Sequence, residues 1–225
     1  TRAYGSDPEE VVKNAKAYVR GVRKSQMAVC CKHFPGDGVE ELDQHLVMGV
    51  NTLSCEEWDA SFGWVYKQMI DEGIESIMAG HIALPAYSRK LCPGIADEDI
   101  RPATLSKELL TGLLREKLGF NGLILTDASH MAGMTSALPR SRQVPEAIAA
   151  GCDMFLFFND IEEDFNYMME GWKSGIITDE RLNDALRRIL GLKASLKLHE
   201  KKEKGNLVPP QEGLTVIGCE EHLAM

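Results

Sequence analysis

The chain has 225 residues, of which 44% are hydrophobic and 26% are charged, with a formal net charge of −9 at pH 7. This composition is typical of a globular protein with a sizeable core. The acidic balance, without a long Lys/Arg-dense block or an apolar run near ~20 residues, argues against a nucleic acid partner and against a membrane span.

The cysteines indicate a reducing environment. The chain has six of them and contains no C-x-x-C pair. Scattered cysteines within apolar runs are typical of small buried thiols rather than of a disulfide framework or a zinc site. We therefore expect a cytoplasmic protein.

Helices and strands are predicted to alternate. In chain order, the elements are a helix from Pro8, a strand over 26–31, a helix capped by Ser54, a strand over 75–79, a helix opened by Ser106, strands over 122–126 and 153–158, and a helix opened by Thr178. The four strand segments are nearly continuous apolar runs, which is typical of parallel strands covered on both faces. Strands that alternate with helices predict right-handed βαβ units and an α/β fold.

Polar or ionisable residues follow each predicted strand. They are Lys32 and His33, then His81, Asp127 and Asn159. The carboxyl ends of parallel strands meet at one face of a barrel, where reactive side chains collect. The sequence therefore predicts a shared site, with residues 32–45 as its largest loop.

Several motifs in fixed order resemble one family. They are Arg-Ala-Tyr-Gly-Ser-Asp-Pro (2–8), Lys-His-Phe-Pro-Gly-Asp-Gly (32–38), Asp-Gln-His (43–45), Met-Ala-Gly-His-Ile-Ala-Leu-Pro (78–85), Pro-Ala-Thr-Leu-Ser (102–106), Leu-Gly-Phe-Asn-Gly-Leu-Ile-Leu-Thr-Asp (118–127) and Ala-Gly-Cys-Asp-Met (150–154). Together they resemble glycoside hydrolase family 3, in its β-N-acetylglucosaminidase branch. The resemblance runs from Arg2 to about Leu198.

The resemblance implies a (β/α)8 TIM-type barrel. Four predicted strands do not close eight, so we expect the C-terminal portion of a barrel, incomplete in this chain. Residues 1–198 would form the partial barrel domain. Residues 199–225 would be a linker and the start of a further C-terminal domain, which makes the chain a piece of a longer polypeptide.

The catalytic residues that the resemblance implies are a carboxylate and an acid/base dyad. Asp127 matches the nucleophile of a retaining glycosidase; its alternative role is a helix N-cap. Asp43 and His45 match an Asp-x-His dyad in which the histidine moves protons; the alternative is a solvated loop histidine. Two positions depart from the branch, because Gln44 stands where serine is common and Asp37 where histidine is frequent.

The resemblance also assigns sugar binding to Arg2, Lys32 and His33, whose side chains can hydrogen-bond ring hydroxyls. Arg2 could instead be an exposed terminal arginine. His81 and Asn159 could be substrate contacts or satisfied structural residues. No cofactor is implied, and the expected partners are a carbohydrate substrate and the remaining parts of the parent polypeptide.

The function implied is hydrolysis of β-glycosides with retention, by an exo-acting β-N-acetylglucosaminidase. A family 3 β-glucosidase is the nearest alternative. Two other classes stay open: a non-catalytic sugar-binding protein, and a metal-dependent hydrolase with ligands among His33, Asp37, Asp43 and His45. Because a neutral imidazole does not repel an anion, we also expect that phosphate could replace water as the acceptor.

Overall fold

The computed structural model describes residues 3–207. The chain divides into two compact units, Thr1–Ile189 and Leu190–Met225. The sheets and the core lie in the first unit. The short helix α9 (Leu198–Glu203) lies in the second. Within the described residues, no helix is both long enough and apolar enough to cross a bilayer.

The first unit is an α/β structure with two parallel sheets. The strands are β1 (Cys30–Phe34), β2 (Gly49–Val50), β3 (Ser76–Ala79), β4 (Ile82–Ala83) and β5 (Leu123–Thr126). The larger sheet has the order β1-β3-β5, and the smaller one pairs β2 with β4. The α/β prediction is confirmed. The small second sheet was not predicted, because two-residue strands carry no readable periodicity.

The first predicted strand is displaced along the chain. Cys30 pairs with Ser76, the first residue of β3, so the ladder begins there rather than at Gln26. Gln26 has a positive φ of 56° and closes the turn after the first helix. Lys32 and His33 therefore lie within β1 instead of after it.

The predicted strand over 153–158 is wrong. The segment runs beside β5, but only Leu125 and Met154 form a parallel bridge. Farther along, both backbone groups of Leu156 bond the hydroxyl of Thr126, with its N–H donating at 2.8 Å and its carbonyl accepting at 3.0 Å. A side chain thus replaces the ladder. The run ends with Phe157 and Phe158 more than half exposed.

The predicted helices are present. The α-helices of the first unit are α1 (Pro8–Arg23), α2 (Cys55–Trp58), α3 (Trp64–Asp71), α4 (Pro85–Leu91), α5 (Ala132–Thr135), α6 (Arg140–Ala150), α7 (Ile161–Lys173) and, reaching into the second unit, α8 (Asp179–Ser195). A π-helical segment (Asp59–Gly63) joins α2 to α3, and Glu108–Lys117 form a π-helix.

The helix starts follow the capping chemistry read from the sequence. The Asp7 carboxylate accepts the N–H groups of Glu9 and Glu10 at the start of α1. Ser54 and Glu57 form a complete capping box at α2. These caps satisfy N–H groups that lack partners within the helix, so they fix where each helix begins.

The core lies between the larger sheet and the surrounding helices. The π-helix contributes four fully buried leucines, Leu109, Leu110, Leu113 and Leu114. An aromatic group packs at the carboxyl end of β1, where Phe34 meets the edges of Trp58 and Tyr66. The indole N–H of Trp58 also donates to the carbonyl of Pro35 at 2.7 Å. This contact anchors the chain just after β1, where the candidate site begins.

Candidate active site

Asp127 directly follows β5 at the carboxyl end of the sheet. Its backbone N–H donates to the carbonyl of Ala79 at 2.9 Å, which continues the pairing of β5 with β3. Its Oδ1 accepts the N–H of Ala128 at 2.7 Å. The side chain is 15% exposed. One oxygen is therefore held by the backbone, and the carboxylate sits partly sheltered with the other oxygen facing across the sheet.

His33, at the end of β1, lies between two carboxylates. Its Nε2 is 3.4 Å from Oδ2 of Asp127, and its Nδ1 is 3.2 Å from Oδ2 of Asp37. Burial lowers the pKa of His33, against the negative charges of Asp127 and Asp37, which raise it. The structure thus brings together two of the predicted site residues, His33 from β1 and Asp127 after β5.

The segment between β1 and β2, residues 35–48, is here named the dyad loop. Its first turn is tight, since Gly36 has a φ of +137° and a Cβ there would collide with the Phe62 ring. The carbonyl of Gly36 accepts the side-chain amide of buried Asn51 at 3.3 Å. The carboxylate of Glu40 accepts the N–H of Val50. Several elements thus hold the loop against the carboxyl end of the sheet.

Asp43 and His45 form a hydrogen-bonded pair on this loop. Nδ1 of His45 lies 2.6 Å from Oδ1 of Asp43, which also accepts the His45 backbone N–H at 2.9 Å. The backbone bond first, and then the side-chain bond, hold the pKa of Asp43 below its ordinary value. The carboxylate can only accept, so the ring proton sits on Nδ1 and Nε2 is left for exchange with solvent or substrate. The side chains of Asp43 and His45 are 58% and 68% exposed.

His81 is a structural residue rather than a substrate contact. It is fully buried after β3, with Nε2 3.0 Å from the carbonyl of Ala128 and Nδ1 2.7 Å from the hydroxyl of Thr104. Burial lowers its pKa, and the charges of Asp127, His33 and His45 act on it as well. His81 therefore lies within electrostatic range of all three, although both of its nitrogens are already satisfied.

Arg2, Lys32 and Asn159 are the remaining residues considered for sugar binding. Arg2 lies outside the described residues. Lys32 is exposed in the middle of β1, and its charge acts to lower the pKa of neighbouring His33. Asn159 is exposed, and its backbone N–H donates to Asp164 at 3.0 Å. Asn159 thus belongs to the start of α7.

The four residues considered as metal ligands form two separate pairs, His33 with Asp37 and His45 with Asp43. Across residues 3–207, no three His, Cys, Asp or Glu side chains are grouped as ligands for one ion.

Two residues gain roles that the sequence reading missed. Asp37 orients His33, and their i, i+4 spacing across the turn after β1 was a usable signal. Gln44 is buried between two exposed neighbours, and its amide oxygen accepts the His81 N–H at 3.1 Å. No local pattern marks a glutamine as an anchor, since its partner lies 37 residues away.

The fold and site together define an α/β protein with a carboxylate and imidazole groups at the carboxyl end of a parallel sheet. The profile described as "Glycosyl hydrolase family 3 N terminal domain" matches residues 1–192. The chain belongs to glycosyl hydrolase family 3.

Individual relatives carry related names. A protein of Cellulomonas fimi named "Beta-N-acetylglucosaminidase/beta-glucosidase" is 52% identical over 224 residues, which are 100% of this chain and 39% of that protein. A "Beta-hexosaminidase" of Chromobacterium violaceum is 35% identical over 72% of this chain and 42% of its own length. The chain thus spans well under half of the length of these relatives.

Two solved structures are also similar. One, described as "Beta-glucoside phosphorylase BglX bound to 2FGlc", has a TM-score of 0.94 and 46% identity, over 99% of this chain and 39% of that one. The other is a family 3 β-N-acetylglucosaminidase from Paenibacillus sp. str. FPU-7, with a TM-score of 0.79 and 27% identity over 88% of this chain and 36% of that one.

Proposed function

We propose that the protein is a retaining β-glycoside hydrolase, an exo-acting β-N-acetylglucosaminidase that uses Asp127 as nucleophile and His45 with Asp43 as acid/base. The observation that carries the proposal is the arrangement of these groups. The partly sheltered carboxylate of Asp127 follows β5, and the loop that bears the dyad is hydrogen-bonded to the segment just beyond Asp127, at Ala132. Family membership and the names of the relatives support it.

The first step is attack by Asp127. A carboxylate oxygen bonds to the anomeric carbon while the bond from that carbon to the leaving oxygen breaks. His45 in its imidazolium form donates the Nε2 proton to the departing oxygen, and the electron pair of the broken bond stays on that oxygen. Asp43 stabilises the imidazolium and fixes the ring through the 2.6 Å contact.

The second step releases the glycosyl ester. Neutral His45 accepts a proton at Nε2 from an incoming water, whose oxygen attacks the anomeric carbon and frees the Asp127 carboxylate. The overall configuration at the anomeric carbon is retained because two displacements occur. The large exposure of the His45 ring suits this role, since the ring must reach both a leaving group and a water.

Sugar binding is proposed for Arg2, Lys32 and His33. Nε2 of His33 lies beside the nucleophile, so a hydroxyl bonded to it would place the ring over Asp127. Lys32, exposed on the same strand, offers three N–H donors to hydroxyl oxygens. No cofactor enters either step.

The proposed architecture is the C-terminal portion of a (β/α)8 barrel over residues 1–198, followed by a linker and the start of a further domain over 199–225. The parallel order β1-β3-β5 and the site at the carboxyl ends of the strands support it. In this proposal the remaining parts of the parent polypeptide are partners of the chain. A cytoplasmic location is proposed from the pattern of cysteine usage.

The test compares turnover of nitrophenyl β-N-acetylglucosaminide and nitrophenyl β-glucoside by the protein at its natural full length. We expect the amino sugar to be preferred, and Asp127→Ala to lose activity by several orders of magnitude. Preference for the glucoside would favour the β-glucosidase alternative. Tight sugar binding without turnover would favour a binding protein, and loss of activity on chelation a metal-dependent enzyme.

Transfer to phosphate is the second candidate. The similarity to a structure described as a β-glucoside phosphorylase supports it. The physical reason is that neutral His45 carries no negative charge, so an anionic acceptor is not repelled in the second step as it would be by a carboxylate base. Phosphorus NMR of a reaction in phosphate buffer should then show a glycosyl phosphate. Release of free sugar alone would eliminate this candidate.

A further inference from the structure

Gln44 is unlike its neighbours on the dyad loop. Its exposed fraction is 8%, whereas Asp43 and His45 on either side have more than half of their side chains in solvent. The polar end of this glutamine is therefore turned into the protein while the proposed acid/base pair is turned out. Burial of an amide is costly unless its polar atoms find partners.

The partners of Gln44 lie on two other segments of the site. Its Oε1 accepts the backbone N–H of His81, just after β3, at 3.1 Å. Its carbonyl accepts the N–H of Gly133 at 3.1 Å, and the next carbonyl, that of His45, accepts the N–H of Ala132 at 3.2 Å. Three hydrogen bonds thus fasten the middle of the dyad loop to the body of the unit.

Three glycines form the surface on which Gln44 rests. A Cβ on Gly49 or Gly80 would lie 3.3 Å from the Cγ or the Oε1 of Gln44, respectively. A Cβ on Gly133 would lie 3.1 Å from the Gln44 carbonyl and 2.8 Å from the Cβ of His81. The close approach of the loop therefore depends on positions that lack side chains.

The contacts of Gln44 extend through His81 to the proposed nucleophile, Asp127. The backbone of His81 binds Gln44, and its ring Nε2 lies 3.0 Å from the carbonyl of Ala128, the residue after Asp127. The N–H of Ala128 in turn donates to Oδ1 of Asp127 at 2.7 Å. One buried residue thus links the loop that bears the dyad to the loop that bears the nucleophile.

We infer that Gln44 is a positioning residue that fixes where the Asp43–His45 pair stands relative to Asp127. This inference rests on the proposed function, because it assigns Gln44 an effect on proton transfer by His45. Misplacement of a catalytic group by about 1 Å costs on the order of 100-fold in rate. The effect of losing Gln44 should therefore appear in acid assistance to the leaving group.

The test measures kcat/KM, in the protein at its natural full length, on a dinitrophenyl glycoside and on the matching phenyl glycoside. The dinitrophenolate departs with little protonation, whereas the phenolate requires it. Gln44→Met keeps the length of the side chain and removes the acceptor for His81. We expect about a 10- to 100-fold loss on the phenyl glycoside and a much smaller one on the dinitrophenyl glycoside.

Further variants separate positioning from folding. Gly133→Ala keeps the Gln44 side chain but places a Cβ 3.1 Å from the Gln44 carbonyl, so it displaces the same loop. It should give the same dependence on leaving group, even if Gln44→Met folds poorly. Gly21→Ala, where an added Cβ meets nothing within 4 Å, is its control. Gln143→Met removes another buried glutamine, whose amide donates to the Leu138 carbonyl, and should leave the ratio of the two substrates unchanged.

His45→Ala is measured in parallel. It should show the steepest dependence on leaving group, and Gln44→Met added to it should not steepen that dependence further. If His45→Ala shows the dependence while Gln44→Met and Gly133→Ala lose both substrates equally or not at all, the positioning role is overturned and the proposed function survives. If His45→Ala shows no dependence, the acid/base assignment and the inference fail together.

Discussion

Nε2 of His33 lies 3.4 Å from Oδ2 of Asp127, so an imidazole from β1 faces the proposed nucleophile that follows β5. The other nitrogen of the ring faces Asp37 at 3.2 Å. Because burial lowers the pKa of His33, the ring is neutral near pH 7 and has one proton to place. Asp37 can only accept, so it keeps that proton on Nδ1 and leaves Nε2 free to accept a hydroxyl hydrogen from the sugar.

This geometry predicts the effect of Asp37→Asn. An amide can donate to Nδ1, which would move the ring proton to Nε2 and aim it at Asp127. We expect kcat/KM to fall about 10-fold, the equivalent of roughly one hydrogen bond to a charged group. Steady-state kinetics on an aryl glycoside measure the change. Asp99→Asn, an exposed acid outside the site, is the control. Equal kinetics for the two variants would refute the role of Asp37.

The contact between Asp43 and His45 predicts the effect of Asp43→Asn. The carboxylate accepts the proton on Nδ1 of His45, whereas an amide can donate to Nδ1 and place the ring proton on Nε2, where neutral His45 must accept a proton from water. We expect kcat/KM on an aryl glycoside to fall about 10- to 100-fold. Glu41→Gln removes a charge from the same loop without touching the pair and should leave kcat/KM unchanged. Equal kinetics for the two variants would show that Asp43 does not support His45.

His81 predicts how stability depends on pH. Burial lowers its pKa in the folded state, so the unfolded chain, where histidine titrates near ~6.5, binds its proton first as the pH falls. Above pH ~6.5, His81 is neutral in both the folded and the unfolded state, and its full contribution to the free energy of unfolding is present. This contribution is lost as the pH falls from ~6.5 through the lowered pKa of the folded state.

We therefore expect the unfolding midpoint to fall as the pH is taken from 7 to 5, measured by thermal denaturation. His81→Gln should be less stable at pH 7, because two buried hydrogen bonds are lost, but should fall less steeply. His199→Gln, at an exposed position of α9, should keep the slope of the wild type. If the unfolding midpoint of His81→Gln falls with pH as steeply as that of the wild type, other groups cause the loss of stability in acid.

A buried charge cluster beside the start of β5 predicts a large effect on stability. The Asp153 carboxylate is fully buried and forms ion pairs with Arg115, Arg181 and Arg188. Asp153→Asn would leave three arginines without their shared anion, at a cost of about 3–5 kcal/mol in the free energy of unfolding. Urea denaturation measures it.

The matched control is an exposed pair. Asp97 contacts Arg89 at 2.8 Å, and its side chain is 81% exposed. Asp97→Asn should change the free energy of unfolding by only ~0–1 kcal/mol. Similar values for the two aspartates would contradict the assignment of Asp153 as the centre of the cluster.

The sequence predicts those features of the site that depend on local pattern. Apolar runs and caps locate β3, β5 and the main helices. The position after β5 places Asp127 in the predicted site, and the family resemblance marks it as the expected nucleophile. The apolar run over 153–158 wrongly predicts a strand, because the N–H and the carbonyl of Leu156 hydrogen-bond the Thr126 hydroxyl instead of a strand backbone. Hydrogen bonds of this kind join residues 30 positions apart and leave no periodic trace.

The Asp43–His45 pair likewise has one feature that local sequence predicts and one that depends on contacts between distant segments. The resemblance of the Asp-x-His motif to the family predicts the pair, and in the structure Nδ1 of His45 lies 2.6 Å from Oδ1 of Asp43. What holds the pair in place is not readable from that spacing. The anchor at Gln44 and the bare surfaces of Gly80 and Gly133 come from separate segments, and only folding places them under the loop.

Covalent trapping of the nucleophile tests the role of Asp127 most directly. A fluorosugar with a fluoride leaving group slows release of the glycosyl ester, so that the labelled protein at its natural full length can be digested and read by mass spectrometry. We expect one added sugar on the peptide that contains Asp127, and none in Asp127→Ala. A label on a different carboxylate, with Asp127→Ala still labelled, would contradict it.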